Sequence, residues 1–414
     1  MGSETPSSLS CMKCGAPISL RAPGLTLVIA CPSCGALNDV TNPNIAFLIK
    51  ANQKTPIKPL IPLGRRGKME EILYEVIGFM RRSDASGIYT WDEYLLFNPY
   101  YGFRWLMEYK GHWIFYKMIK DNIEITPYSA IRKKVAYKRF LVGKAKVQYV
   151  LGEFYWRVQL GDTTKVYDYI APPEILSCEE DGSEKIWSHG IYVEPKEIQA
   201  AFQTTFPLPK PIGVGACQPG LGGKSSDSFW LVFILFFILL TFVQISSSTM
   251  CRDEEVWSSN NLLLTADTDK VKTSPSFHLN QKIADVKISS HASLQNNWIY
   301  LNLDLINEDD GKIYPMGREI SFYDGYDDGY WSEGSTHDEV FISSVPEGNY
   351  HLVISPEFPA DLSNEIVDIK IERDAPNWTN YVIFSLLLLV GPLGLQAYKM
   401  WFESKRWQES DLPG

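Results

Sequence analysis

Phe229 to Ile245 reads FWLVFILFFILLTFVQI, seventeen residues without a charge, and this stretch decides the architecture. A helix rises 1.5 Å per residue and needs about 20 apolar residues to cross roughly 30 Å of hydrocarbon. With its flanks at the interface the stretch meets that length, so we read residues 229–245 as a transmembrane helix. A second stretch, YVIFSLLLLVGPLGLQAY (381–398), carries Gly391, Pro392, Gly394 and Gln396. A span tolerates these better than a soluble helix does, because neighbouring groups re-satisfy the freed backbone. Trp378 and Trp401 bracket it as interfacial anchors. The second span is set at 378–398, and the competing reading for each stretch is a buried core helix.

The two spans divide the charge. The whole chain has 39 Lys and Arg against 49 Asp and Glu, but Ser246 to Asn380 holds 9 against 24, leaving the remainder mildly basic. An acidic segment between two spans goes outside more easily, and Lys399, Lys405 and Arg406 favour a tail facing the cytoplasm. Six of the seven cysteines, at 11, 14, 31, 34, 178 and 217, precede the first span, and Cys251 stands without a partner on the other side. MGSETPSSLS has neither a basic start nor an apolar run, so the first span is expected to serve as the targeting signal.

Within the first half, CMKC (11–14) and CPSCG (31–35) form two Cys-x2-Cys pairs. Four thiolates in two knuckles supply a tetrahedral zinc shell, and Gly15 and Gly35 free the backbone to turn after each pair. Residues 8–42 are therefore expected to be a zinc ribbon, with Cys11, Cys14, Cys31 and Cys34 as ligands of a structural Zn2+. A closed four-sulfur shell leaves no position for water, which argues against chemistry at this metal. Lys13 and Arg21 are too few for a phosphate-binding footprint, which argues against nucleic acid.

Residues 43–62 contain four prolines and read as a linker. Residues 63–203 then read as a β-rich cytoplasmic domain, barrel or sandwich. MEEILYEVIGFMRR, IYTWDEYLLFN, RWLMEYKGHWIFYKMI, VQYVLGEFYWRVQL and KVYDYIA are rich in aromatic and β-branched residues and break at Lys110-Gly111 and Gly161-Asp162. EPKEIQAAFQ (194–203) alone looks helical. Trp91, Tyr94, Trp105, Trp113, Tyr155 and Trp156, interleaved with Asp92, Glu93, Glu108, Glu153 and Arg157, would either fill a β core or line a groove for a cationic ligand.

GRRGKMEEILYEVIGFMRR (64–82), WDEYLLFN, RWLMEYKGHW, GEFYWRVQLGD, DYIAPPEILSCE, IWSHGIYV and the closing AAF together resemble the bacterial domain of unknown function 4178. The similarity continues through SFYDGYDDGYWSEGS (321–335), VPEGNYHLVI (345–354) and RWQESD (406–411). The resemblance implies a zinc ribbon ahead of the domain and a genomic neighbourhood of polyamine-synthesis and membrane-stress or envelope proteins. It supplies no catalytic residues.

PLPKPIGVGACQPGLGGKSSDS, within 204–228, is rich in Pro and Gly and reads as a flexible tether. Its GVG and GLGG lack the strand, helix and Lys-Ser/Thr placement of a phosphate loop. Residues 246–377 alternate apolar and polar positions as a two-layer β sandwich does, with VPEGNYHLVI as a turn feeding a strand. Its loop 323–339 gathers Asp324, Asp327, Asp328 and Glu333 beside aromatic residues, a candidate cation or ligand loop set against a solvated hairpin. The tail 399–414 reads as a docking peptide for the cytoplasmic domain or as an amphipathic interfacial end.

The expected protein is thus a mainly β, multidomain, multi-pass protein of a bacterial inner membrane, with both termini in the cytoplasm. The function expected is that of a non-catalytic adaptor or sensor. It would couple the envelope to a cytoplasmic protein partner in a membrane-stress or polyamine-related system. The alternatives are a binding protein for a small cation such as a polyamine and an enzyme of unknown reaction. The six histidines show no metal-ligand spacing, and the basic run RKKVAYKR (132–139), too short to argue for nucleic acid, reads as a solvated face or a contact with anionic lipid headgroups.

Overall fold

The computed structural model describes residues 8–41, 57–182, 184–204, 207–220, 225–266 and 271–412. Most of the expected linker at 43–62, and residues 205–206 and 221–224 of the expected tether, lie outside these. The chain divides into one unit of residues 1–226 with 394–414 and another of residues 227–393.

In the first unit, β1 (Ser8–Ser10) pairs with β2 (Pro17–Ser19), and β3 (Val28–Ala30) pairs with β4 (Leu37–Asp39). The next eleven strands are β5 (Arg66–Met69), β6 (Ile72–Ser83), β7 (Thr90–Asn98), β8 (Gly102–Tyr109), β9 (His112–Ile119), β10 (Glu124–Ile125), β11 (Ser129–Arg132), β12 (Val135–Phe154), β13 (Thr163–Ala171), β14 (Glu174–Asp181) and β15 (Glu184–Val193). All pairings among them are antiparallel. Following the ladder from β12 through β13, β14, β15, β9, β8, β7 and β6 returns to β12, because β12 also pairs with β6. Eight strands therefore close into a barrel, which leaves no free edge within that circuit. The expected barrel-or-sandwich domain is a barrel.

Twenty-residue β12 makes closure possible. Its first half pairs with β13 and its second with β6, with register shifts at Arg139/Leu141 and Val147/Tyr149. A bulge adds a residue on one strand and sharpens the local bend. At Gly152 three strands meet, since this residue lies opposite both Ala30 of β3 and Gly78 of β6. The crossing admits no side chain: a Cβ on Gly78 would stand 2.4 Å from the Glu153 carbonyl oxygen.

Period-two alternation then sorts the side chains. Tyr74, Val76, Tyr94, Leu96, Leu106, Trp113 and Phe115 form one apolar layer outside the wall, covered by helix α1 (Pro195–Phe202) through Ile198 and Phe202. Leu95, Phe97, Trp105, Tyr155 and Trp156 pack with Met80, Val150 and Phe154 on the other face. Of the rings considered for a cation groove, Tyr94 and Trp113 are fully buried and Trp105 packs edge-on to Trp156 at 5.4 Å, while half-buried Trp91 donates to Glu93 (2.7 Å).

Residues 207–220, expected to be flexible, instead lie along the barrel. The amide of Ile212 donates to the Lys110 carbonyl (2.9 Å), His112 Nε2 approaches the Ile212 carbonyl (3.3 Å) and Cys217 is fully buried. Proline and glycine content argues for a flexible tether, but it does not reveal a buried anchor such as Cys217, which holds the segment down.

Two helices, α2 (Ser225–Met250) and α3 (Thr379–Trp407), contain the two apolar stretches and outrun their expected limits; most of α2 and the first half of α3 belong to the second unit, and α3 from Gly394 onward to the first. Both are long and apolar enough to cross a membrane. Leu239, Phe242, Leu386 and Val390 are each more than half exposed, as lipid-facing side chains are. Thr241 Oγ1 meets Tyr381 Oη at 3.0 Å, and Gln244 Nε2 donates to the Asn377 carbonyl at 3.0 Å.

Between the helices lie β16 (Glu254–Thr265), β17 (Lys272–Thr273), β18 (Phe277–Ala292), β19 (Asn297–Asn307), β20 (Ile313–Tyr326), β21 (Tyr330–Ser335), β22 (His337–Glu357) and β23 (Asn364–Arg373). They form one continuous sheet in the order β16-β23-β18-β22-β19-β20-β21, with β17 on β22. The expected sandwich of two sheets is thus a single sheet curled into a half-barrel around one core, built from residues such as Ile288, Leu301, Leu303, Leu352 and Ile369. The reason is that VPEGNYHLVI does not turn back. β22 runs through it for 21 residues, pairing first with β18 and then with β19, while register shifts at Leu279/Ile283 and Ala284/Val286 supply the bend. Arg373 sits fully buried inside, donating to the carbonyls of Gln281 (2.7 Å) and Val345 (2.9 Å).

Candidate functional site

The two Cys-x2-Cys segments fold into matching knuckles. In each, the first cysteine's amide donates to the alanine five residues on (Cys11 to Ala16, Cys31 to Ala36), and the glycine amide returns to the cysteine carbonyl, all at 2.8 Å. Gly15 and Gly35 take φ of 72° and 67°, the left-handed region that an L side chain enters at a cost. The four sulfurs converge: Cys11 and Cys34 are 3.6 Å apart, Cys14 and Cys31 3.8 Å, and all four lie within 4.8 Å of one another. A tetrahedron with Zn–S bonds of about 2.3 Å places its sulfurs about 3.8 Å apart, so the set fits such an ion. Among the described residues this is the one group of three or more potential ligands gathered closely enough to hold a metal.

The electrostatics of the cluster agree with a cation at its centre. Burial disfavours the Cys11 thiolate, but the amides of Cys14 and Lys13 and the neighbouring thiols outweigh it and bring that thiol down to about 6. At Cys34 the Ala36 amide favours ionisation, yet burial and the three other sulfurs push the thiol up to about 12. Four sulfurs so placed cannot all ionise unless a positive ion offsets their repulsion.

Residues that the spacing argument does not reach hold the cluster in place. Asn38 bridges the knuckles, its Oδ1 accepting from the Met12 amide (3.0 Å) and its Nδ2 donating to the Ala36 carbonyl (2.9 Å). Buried Glu153 of β12 accepts from the amides of Arg21 (2.6 Å) and Ala22 (3.0 Å) and from Thr26 Oγ1 (2.7 Å). With β3 paired to β12, these bonds join the second knuckle to the barrel wall. Glu153 is thus a brace and not part of a groove.

A second polar constellation lies inside the barrel. Arg82 of β6 donates Nη1 to Glu179 of β14 (2.5 Å) and, more loosely, to Glu93 of β7 (3.4 Å), which also accepts from Trp91 Nε1 (2.7 Å). Because β12 and β13 separate β6 from β14 around the wall, the Arg82–Glu179 bond crosses the lumen. Asp168 faces the same space, and its Oδ1 is sealed from solvent without a hydrogen-bond partner, as is Arg82 Nε. Burial, opposed by a hydrogen bond from Ser177 and reinforced by Glu179, pushes the Asp168 carboxyl up to about 6. Burial also raises Glu93.

The third feature is the end of α3. Arg406, 1% exposed, is held by three backbone carbonyls of the 207–220 segment: Nη1 donates to Gly215 (3.1 Å) and Ala216 (2.8 Å), and Nη2 to Gln218 (2.7 Å). Glu403 accepts from Nε at 3.0 Å. Beyond it Trp407 packs on Phe140 (5.6 Å between centroids), Ser410 Oγ donates to the Phe140 carbonyl (2.5 Å), the Val142 amide donates to Asp411 (3.2 Å), and Lys110 pairs with Glu409. RWQESD is therefore bound to the barrel, the docking alternative of the sequence reading.

The candidate cation loop is not assembled. It is the β20–β21 hairpin, with Asp327 and Asp328 at its tip. Asp324 lies opposite Ser332, and Tyr323 opposite Glu333, so alternation sends Asp324 and Glu333 to opposite faces. Nor are His189 and Cys178 a nucleophilic pair. His189 Nε2 lies 2.9 Å from Glu174, and burial pushes the Cys178 thiol up to about 11, away from a reactive thiolate.

The molecule is thus a mainly β protein built from a closed antiparallel barrel with a four-cysteine centre, a half-barrel, and two helices of membrane-spanning length. Residues 62–195, which hold the strands of that barrel, match the family described as Domain of unknown function (DUF4178), and the chain is a carrier of that family's domain. No curated protein matches the chain. Among solved structures, similarity extends to infectious bursal disease virus Gt strain (9% identity, 76% of this chain and 59% of that one, TM-score 0.20). PNGF-II follows at 9% identity, 72% and 68% coverage and TM-score 0.22. The Cry4Aa toxin from Bacillus thuringiensis matches at 10% identity, 75% and 53% coverage and TM-score 0.16. The chain spans under two thirds of the viral and toxin chains, and scores this low carry no argument about this protein.

Proposed function

We propose that this protein is a non-catalytic, membrane-anchored adaptor that couples a domain outside a bacterial inner membrane to protein partners inside. In this reading α2 and α3 cross the bilayer, the acidic half-barrel faces outward, and the ribbon and barrel face the cytoplasm with both termini. Zn2+ held by Cys11, Cys14, Cys31 and Cys34 is structural, and the ribbon surface docks the partner. The observation that supports coupling most directly is Arg406. The chain that leaves β23 passes through α3 and ends in a socket of three carbonyls on the barrel unit, so a shift of that helix would be transmitted to the barrel. Crosslinking in intact cells, followed by extraction and mass spectrometry, tests this. A defined protein set should co-purify with the wild type and vanish with Cys31→Ser/Cys34→Ser, while membrane insertion persists. Absence of any such set would end the adaptor reading.

The second reading, a binding protein for a small cation such as a polyamine, is favoured by one observation. Glu93, Glu179 and Asp168 face a single guanidinium, Arg82, inside the barrel, and Asp168 Oδ1 has no donor. Calorimetry with millimolar spermidine should then give heat that Asp168→Asn reduces; no heat removes the idea.

A further inference from the structure

A cavity of about 450 Å³ opens where α3 meets the barrel, bounded by Lys138 and Ile170 on paired strands β12 and β13, by Pro172, and by Lys399, Phe402 and Trp407 of α3. Its walls are of two kinds. Ile170, Pro172, Phe402 and Trp407 give an apolar floor. Lys138 and Lys399 give two ammonium groups that have no hydrogen-bond or ion-pair partner among the described residues. The carboxylate at its rim, Glu403, is already engaged by Arg406, which leaves the cavity with uncompensated positive charge. Arg406, which also lines the cavity, is itself buried.

Position along α3 supplies the second argument. About 20 helical residues cross the hydrocarbon, so a span that begins at Tyr381 leaves it near Met400. Lys399 then stands at the level of the headgroups. Met400 and Trp401, each more than half exposed, give this part of α3 an apolar outer surface. The neighbouring β11–β12 hairpin adds exposed Lys134 at its turn, next to Lys133, which pairs with Asp121 at 3.9 Å. An occupant must therefore be anionic at one end and apolar at the other, and must arrive from the bilayer.

We propose that this cavity binds the phosphate headgroup of an anionic phospholipid, held between Lys138 and Lys399, with its acyl chains along α3. The inference rests on the membrane-spanning reading of α3. A bound headgroup would fix the depth at which the barrel sits against the leaflet, a role independent of any protein partner.

The test uses full-length protein in detergent, titrated with phosphatidylglycerol or phosphatidylcholine of matched acyl chains and read by native mass spectrometry. Phosphatidylglycerol should bind as one saturable adduct, at least about tenfold tighter than phosphatidylcholine. At about fivefold per lysine near an anionic surface, Lys138→Gln/Lys399→Gln should weaken it about 25-fold. Lys312→Gln, in the other unit, should change nothing. Charge-retaining Lys138→Arg/Lys399→Arg should restore binding, which separates loss of charge from loss of fold. Equal affinity for the two lipids, an unaffected Gln variant, or full displacement by millimolar inorganic phosphate would each overturn the proposal. Alkaline carbonate extraction separates its failure from that of the reading beneath it. Protein released into the soluble fraction overturns both, whereas protein retained without lipid preference overturns the lipid site alone.

Discussion

Replacing Arg406 by Met should release the end of α3 from the barrel while leaving both units folded. Methionine keeps much of the apolar volume under Phe402 but removes every donor. The carbonyls of Gly215, Ala216 and Gln218 then lose their partners in a place where Arg406 is 1% exposed and water does not easily substitute. A buried acceptor left unpaired costs about 1–3 kcal/mol, and breaking a buried charged arrangement about 3–5 kcal/mol, so we take the latter as the total. At 1.4 kcal/mol per factor of ten, the docked tail should open from about 10² to about 4 × 10³ times more often. Hydrogen exchange reads this directly, because the Asp411 amide is protected by the Phe140 carbonyl (3.1 Å) and the Val142 amide by Asp411 (3.2 Å). Both should exchange faster by that factor, with core strand amides unchanged. Glu409→Gln, which removes an ion pair whose partners are 37% and 42% exposed, should speed exchange less than fivefold. If Arg406→Met accelerates the Asp411 amide less than tenfold, the socket does not hold the tail and the coupling argument loses its support.

Gly78→Ala should lower stability by about 1–3 kcal/mol in denaturant titration, since the new Cβ meets the Glu153 carbonyl at the strand crossing; an unchanged midpoint would mean the crossing is looser than described. Asp168 binds its proton better folded, with its carboxyl at about 6, than unfolded near 3.9. Stability from this group is therefore fully present at low pH and is lost as pH rises from about 4 to about 6. Asp168→Asn should gain on the wild type by at most about 3 kcal/mol between pH 4 and pH 8, and melts showing the opposite slope would contradict the burial argument. Purified protein should carry one zinc per chain by elemental analysis, and Cys31→Ser/Cys34→Ser should carry none; a metal-free wild type that melts identically with and without added zinc would count against the centre. An impermeant maleimide should label Cys251 in intact cells, more readily at pH 9 than at pH 7 because burial, then Asp374, Asp285 and Asp253, raise that thiol. Labelling only after permeabilisation would reverse the proposed topology.

What the sequence by itself determined is whatever depends on neighbours along the chain. The two apolar helices follow from runs of residues long enough to cross a bilayer, and the knuckles from cysteines two residues apart with glycine next. The strands follow from alternation, and α1 at Pro195–Phe202 falls within the one segment of the barrel domain that looked helical. Tertiary structure decided what depends on distance through space. Closure of the barrel rests on β12 pairing with β6 more than fifty residues before it, and no local pattern states whether a sheet closes on itself. The same holds for VPEGNYHLVI, where Pro and Gly read locally as a turn but a strand paired on both sides carries the chain straight on. Asn38 looked like an ordinary polar residue and Glu153 like a candidate for a cation groove, until folding put both against the knuckles. Asp324 and Glu333 looked like a gathered ligand set until strand register parted them. Arg406 shows the division most clearly: composition gave a basic residue at a helix end, and only the fold supplied the three carbonyls, some 190 residues earlier, that make it a latch.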